Sequence, residues 1–133
     1  MIVNDLLIQA EVEAEFAAYE QALVSNDVEK LDSFFVDSDH AIRFGATENL
    51  FGYEAIKAFR AGRSPAGLAR ELVKTSIVTY GHDLAIAAVL FRRPTAPGKI
   101  GRQMQTWVRL PEGWRIVAAH VSVIDDPDAK GGS

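Results

Sequence analysis

The sequence predicts an α+β fold in which helices pack on one face of a curved, mostly antiparallel sheet, and three observations predict it. Apolar residues recur at helical spacing in the first half of the chain, from Val12, Phe16, Tyr19 and Leu23 to Ile56 and Phe59. Runs rich in β-branched and aromatic residues, broken by turn signals, fill the second half. The closing run from Gly101 to Val123 is split by Pro111-Glu112-Gly113, and both faces of the hairpin it would form are largely apolar. Such a sheet must be covered by helices on one side and by another sheet or a second subunit on the other.

The elements follow in order. Residues 6 to 25 read as an amphipathic helix, with Glu11, Glu13, Glu15 and Glu20 off the apolar stripe. Asn26 or Asp27 caps a second, short helix, Val28 to Phe35, which turns Leu31, Phe34 and Phe35 inward. Asp37 to Asp39 form a turn before a short strand, Ala41 to Gly45. A third helix follows Gly52 and ends near Gly62; the loop Arg63-Ser64-Pro65-Ala66-Gly67 then leads into a strand over Arg70 to Tyr80. Gly81-His82-Asp83 turns the chain into a strand from Leu84 to Arg93, and Pro94 to Lys99 returns it to the hairpin. In the hairpin Pro111 presets the first turn position and Gly113 supplies a left-handed residue, which suits a three-residue loop closed by a glycine bulge. Leu110 then faces Trp114, Val108 faces Ile116, Thr106 faces Ala118 and Met104 faces His120. That register puts Trp107, Val117, Ala119, Val121 and Val123 together on an apolar face, expected to pair two subunits sheet against sheet.

Composition excludes several classes. At 133 residues the chain makes one domain, expected over 1–128, with 129–133 as a frayed tail. No apolar run approaches the ~20 residues of a membrane span, and the start lacks the basic end of a signal peptide, so a cytoplasmic protein is expected. There is no cysteine, which removes disulfides and thiolate chemistry. A net charge of −4 argues against nucleic acid or an anionic membrane as a general partner. The three histidines show no metal-ligand spacing and the glycines form no phosphate loop, so neither metal nor cofactor is expected.

Several separated blocks carry a resemblance. Ile42-Arg43-Phe44-Gly45, Glu48 to Ile56, Phe59-Arg60-Ala61-Gly62-Arg63, Gly101-Arg102-Gln103 with Gln105 to Arg109, and Ala118 to Ser122 resemble the AtzH-like group of the nuclear transport factor 2-like, or SnoaL-like and ketosteroid-isomerase-like, superfamily. The resemblance spans nearly the whole chain. It implies a cone made by three N-terminal helices and the concave face of the sheet, with a pocket inside. It also implies a homodimer and a functional link to amidohydrolases of cyanuric-acid or oxalurate breakdown.

Polar residues on apolar stripes are the candidates for that pocket. Tyr19 lies on the stripe of the first helix, and a buried hydroxyl requires a partner; plain core is its other reading. Arg43 sits mid-strand between Ile42 and Phe44. Pointing inward it needs an anion, either a substrate carboxylate held bidentately or an internal acid such as Glu48 or Asp39. The resemblance carries over Tyr19 and Arg43 as the catalytic pair. Arg60, Arg63 and Arg70 bracket the Pro-Gly loop, and Arg63 and Arg70 are taken as candidates for a second carboxylate. His120 is a candidate proton shuttle and Ser122 a hydrogen-bond donor to substrate. Arg92 and Arg93 end a strand and are expected to reach solvent.

Three functions fit. The first is a cofactor-free hydrolase on a carboxylated urea, which the resemblance specifies as decarboxylating conversion of 1,3-dicarboxyurea to allophanate. The second is a non-catalytic ligand-binding accessory of a neighbouring amidohydrolase. The third, a ketosteroid-isomerase-like enzyme, needs a carboxylate base in an apolar cone, and only Asp39 is a candidate for it.

Overall fold

The computed structural model describes residues 1–129. Three helices, α1 (Leu6–Val24), α2 (Val28–Ser33) and α3 (Tyr53–Gly62), pack on one six-stranded sheet. Its strands are β1 (Ile42–Phe44), β2 (Asn49–Phe51), β3 (Glu71–Tyr80), β4 (Leu84–Arg92), β5 (Lys99–Leu110) and β6 (Gly113–Asp125), in the order β2-β1-β6-β5-β4-β3. All neighbours are antiparallel except β1 and β6, so the sheet is mixed at one junction. This is the helices-on-a-curved-sheet architecture that the sequence predicts. The expectation for the tail falls, beyond Ala129, outside the described residues.

Local chemistry sets the helix ends. The Asp5 carboxylate accepts from the N–H groups of Leu7 and Ile8, satisfying two donors that α1 leaves unpaired. From there Ile8, Val12, Phe16, Tyr19 and Leu23 form one buried stripe against the sheet. Asn26 takes a φ of 52°, a left-handed conformation that asparagine tolerates, and lets the chain reverse at once. Asp27 then caps α2 by accepting from the N–H of Lys30. The helix ends at Ser33 rather than Phe35, because the backbone of Phe34 is already committed to the sheet: its carbonyl accepts from Ile116 N–H at 2.7 Å. Phe34 therefore seats between Tyr19 and Trp107, edge-on to both.

Two features depart from expectation. Strand β2 was not foreseen; its three residues pair only with β1 across a short hairpin, too brief to show a period. The closing hairpin differs more. Leu110 pairs with Gly113, so the loop has two residues, and Arg109 rather than Leu110 faces Trp114. Met104 opposite His120 and Thr106 opposite Ala118 hold as expected, but Trp107 pairs with Ile116, so Val117 is an extra residue bulged out of β6. The bulge shifts the alternation of β6 by one. Trp114 and Ile116 thereby join Trp107 in the core, and Ala119 and Val121 follow them on the same inner face.

The face assigned to subunit pairing is corrected by this register. Trp107 is fully buried and Ala119 nearly so under the chain's own helices. The opposite, outer face carries Leu90 and Met104, the latter 55% exposed, beside Ala88 and Ser76. Among the described residues no helix is long and apolar enough to cross a membrane.

Candidate functional site

A cavity of about 250 Å³ opens inside the cone, between α1, the end of α3 and the inner face of the sheet. Tyr19 and Leu23 reach it from α1, Arg43 from β1, and Glu48 from the turn before β2. Phe59 and Arg63 come from α3 and its C-terminal cap, Arg70 from the segment before β3, Arg93 from the end of β4, and Gln103 and Val121 from β5 and β6. The sequence-predicted Tyr19, Arg43, Arg63 and Arg70 are thus brought together. His120 and Ser122 are not. They flank Val121, so alternation points them to the outer face, where His120 lies edge-on to Phe44 and Ser122 accepts from Arg102 at 3.1 Å.

The four guanidiniums of the cavity are of two kinds. Arg43 donates to Glu48 at 2.6 Å and lies over the Phe59 ring, the internal-acid alternative for this residue. Burial alone would raise the Glu48 carboxyl, but hydrogen bonds from Thr47 and Arg43 outweigh it and hold the group below its ordinary value of 4.5. Arg70 grips Glu20 through two nitrogens and donates to Gln103 Oε1 at 3.2 Å. Arg63 and Arg93 have no carboxylate partner among the described residues, and buried donors of both lack any acceptor. Their pKa values are pulled down. For Arg63 the causes are burial and then the neighbouring Arg60; for Arg93 they are burial, then Arg70 and Arg63. Arginine stays charged nonetheless.

Four cations and two anions leave the cavity with two uncompensated positive charges. Tyr19 is 5% exposed, and its hydroxyl carries no hydrogen bond to any described residue. It shares the cavity lining with Arg63 and Arg93. The chemistry on offer is therefore an anion seat next to a free phenol.

Two glycines shape this arrangement. A Cβ on Gly101 would lie 2.1 Å from the Phe91 ring, so only glycine lets that ring rest on β5. Phe91 in turn carries the guanidiniums of Arg70 and Arg93, with ring-centroid distances of 4.5 and 4.6 Å. Gly45 likewise gives the Glu48 carboxylate room beside Arg43; a Cβ there would meet Oε1 at 1.7 Å.

Arg93 corrects the expectation that both arginines ending β4 reach solvent. Arg92 does, paired with Asp126, but Arg93 turns inward. The signal was present in the sequence: Ala85, Ala87, Val89 and Phe91 are the buried alternates of β4, and Arg93 continues their phase. Gln103 was missed similarly, though it shares the phase of Trp107 on β5.

The AtzH-like family profile matches residues 1–127, and the chain belongs to that family. A crystal structure of a protein of unknown function from Pectobacterium atrosepticum is 54% identical, covering 92% of this chain and 95% of its own, with a TM-score of 0.90. A cystatin-like fold protein from Burkholderia xenovorans is 44% identical over 96% of this chain and 99% of its own, at a TM-score of 0.91. A nuclear transport factor 2-like superfamily protein from Salmonella enterica shares the fold at 20% identity and a TM-score of 0.72, covering 96% and 98% of the two chains. No curated protein matches.

Proposed function

We propose that this AtzH-like protein is a cofactor-free enzyme that decarboxylates a small carboxylated urea, with 1,3-dicarboxyurea as substrate and allophanate and carbon dioxide as products. One observation carries the proposal: a phenol hydroxyl without a protein partner, at a cavity whose two surplus positive charges are also unpartnered. At about 250 Å³ the space sits just under the ~300–1,000 Å³ usual for ligand pockets, which suits a small metabolite.

The substrate dianion takes up one proton. Tyr19 donates it to the nitrogen that bears the departing carboxylate. The N–carboxyl bond breaks, its electron pair stays on that nitrogen, and neutral carbon dioxide leaves a monoanionic allophanate. Water returns a proton to the phenolate. Arg43, fixed by Glu48 and Phe59, orients the reacting end.

Purified protein mixed with freshly made 1,3-dicarboxyurea should accelerate release of carbon dioxide and allophanate over buffer. Binding of the substrate without turnover would instead make the protein a ligand-binding accessory of a neighbouring amidohydrolase. Isomerase chemistry is less well served. The acids near the cavity, Glu20 and Glu48, are each tied to an arginine, and Asp39 is exposed at a turn. The same proposal includes a homodimer, formed through the outer face bearing Leu90 and Met104. Light scattering at micromolar concentration should give twice the monomer mass, and Met104→Glu should return it to the monomer.

A further inference from the structure

We infer that Arg63, Arg93 and the amide of Gln103 form the seat for the carboxylate that the substrate keeps, leaving the departing carboxylate to Arg43, whose charge Glu48 offsets. The inference rests on the proposed decarboxylation and assigns its substrate a direction in the cavity.

The donors come first. Arg63 Nε and Nη2, Arg93 Nε and Gln103 Nε2 are shut away from solvent and have no acceptor. Arg70 donates to Gln103 Oε1, which fixes the amide and leaves its NH₂ side as the available one. Every unsatisfied cavity-lining group in this cluster is a donor, so its complement is an acceptor-rich anion. A carboxylate offers about four lone-pair sites on two oxygens and can answer several donors at once.

Charge then separates the two ends. A carboxylate that departs as carbon dioxide loses its charge on the way to the transition state. A strong cation beside it would favour the ground state and slow the step. The cation at the reacting end should therefore be partly neutralised, and Arg43 is, by Glu48 at 2.6 Å. The carboxylate that stays keeps its charge throughout, so unneutralised cations hold it without loss of rate. Arg63 and Arg93 are the cavity cations with no acid partner among the described residues. The cavity is thus matched to a dianion whose two carboxylates differ in fate.

Glutarate is an inert probe with the same backbone length as dicarboxyurea, and butyrate is its single-carboxylate counterpart. By calorimetry the wild type should bind glutarate more tightly than butyrate. Arg63→Gln and Arg93→Gln should each weaken glutarate by about tenfold to a hundredfold, the scale of a lost charge-assisted hydrogen bond, and bring it towards butyrate. Arg93→Lys should fall between, because it keeps the charge and loses the fork. In turnover, Arg63→Gln and Arg93→Gln should raise KM with kcat held, whereas Glu48→Gln, which unmasks Arg43, should lower kcat and KM together. Melting curves guard against misfolding, and Arg93→Met preserves the stem over Phe91 if Arg93→Gln melts early. Wild-type glutarate affinity in Arg93→Gln, or a fall in kcat at constant KM, would overturn the seat. If dicarboxyurea is not turned over but glutarate follows the expected pattern, the reaction fails and the seat stands.

Discussion

Arg60 and Arg63 leave the same helix end three residues apart and meet opposite fates. Arg60 turns towards the closed side of the cone, 3% exposed, where it pairs with Asp32 and lies over the Phe35 ring. Arg63 turns into the cavity, where no carboxylate meets it. Arg60's charge is answered inside the fold by its own acid, whereas Arg63's is left for a group from outside the chain. The closed region is balanced in charge, although Arg60 Nε lacks an acceptor, and the open region carries a charge that nothing in the fold balances.

The sharpest way to break this contrast is to remove one partner on each side. Arg60→Met strands Asp32 and should destabilise the protein by about 3–5 kcal/mol in denaturant titration, because it leaves an uncompensated buried charge. Arg63→Gln should leave stability unchanged or raise it slightly, since a desolvated charge is removed. Equal losses at both positions would erase the distinction.

Tyr19→Phe tests the open side chemically. It keeps the ring against Phe34, so the melting temperature should hold, while turnover of dicarboxyurea falls by about 10²-fold, the scale of a lost general acid. A lower melting temperature with turnover intact would move Tyr19 into the scaffold class.

Gly101→Ala sharpens the comparison through packing. A methyl group where Phe91 now rests should displace the ring and the two guanidiniums over it, at about 1–3 kcal/mol of stability. Glutarate binding should weaken as well. Stability lost with affinity unchanged would show that Phe91 does not position the cations.

The smallest effect concerns Glu48, whose folded pKa is depressed below 4.5. A depressed carboxylate contributes stability at pH values above its unfolded pKa and loses that contribution as pH falls through the folded value. The wild type should therefore exceed Glu48→Gln at pH 7 by about 1 kcal/mol or less, the scale for a partly solvated pair. The difference should vanish on acidification below 4.5. Denaturant titrations across that range measure it; a constant difference would detach Arg43 from Glu48.

Much of the fold was legible because helix stripes and strand alternation leave a period. Val12, Phe16, Tyr19 and Leu23 gave α1 and its buried face, and Tyr19 came with them. Arg43 stood out as a cation flanked by apolar residues in a strand. Its pairing with Glu48 was one of two readings the residues allowed, and only the short β1–β2 hairpin decides between Glu48 and Asp39. Arg93 and Gln103 were legible in phase but hidden by position, one at a strand end beside a second arginine, the other beside exposed Arg102. His120 and Ser122 looked like site residues because the pattern of the last strand cannot show which face its bulge selects. β2 had too few residues to announce itself.

That bulge has a consequence for how β6 is written. The strand holds two reading frames joined at Val117: Trp114 and Ile116 belong to one, Ala119 and Val121 to the other, and a single unpaired residue lets both address the same interior. Pairing Val117 in the ladder instead of bulging it would break that arrangement. With the pairing from Ala118 onward kept, Val117 would fall opposite Trp107, Ile116 and Trp114 would swing outward, and Arg115 would turn to the inner face opposite Arg109. The one residue left out of the ladder is thus as much a part of the code for the core as the identity of any side chain in it.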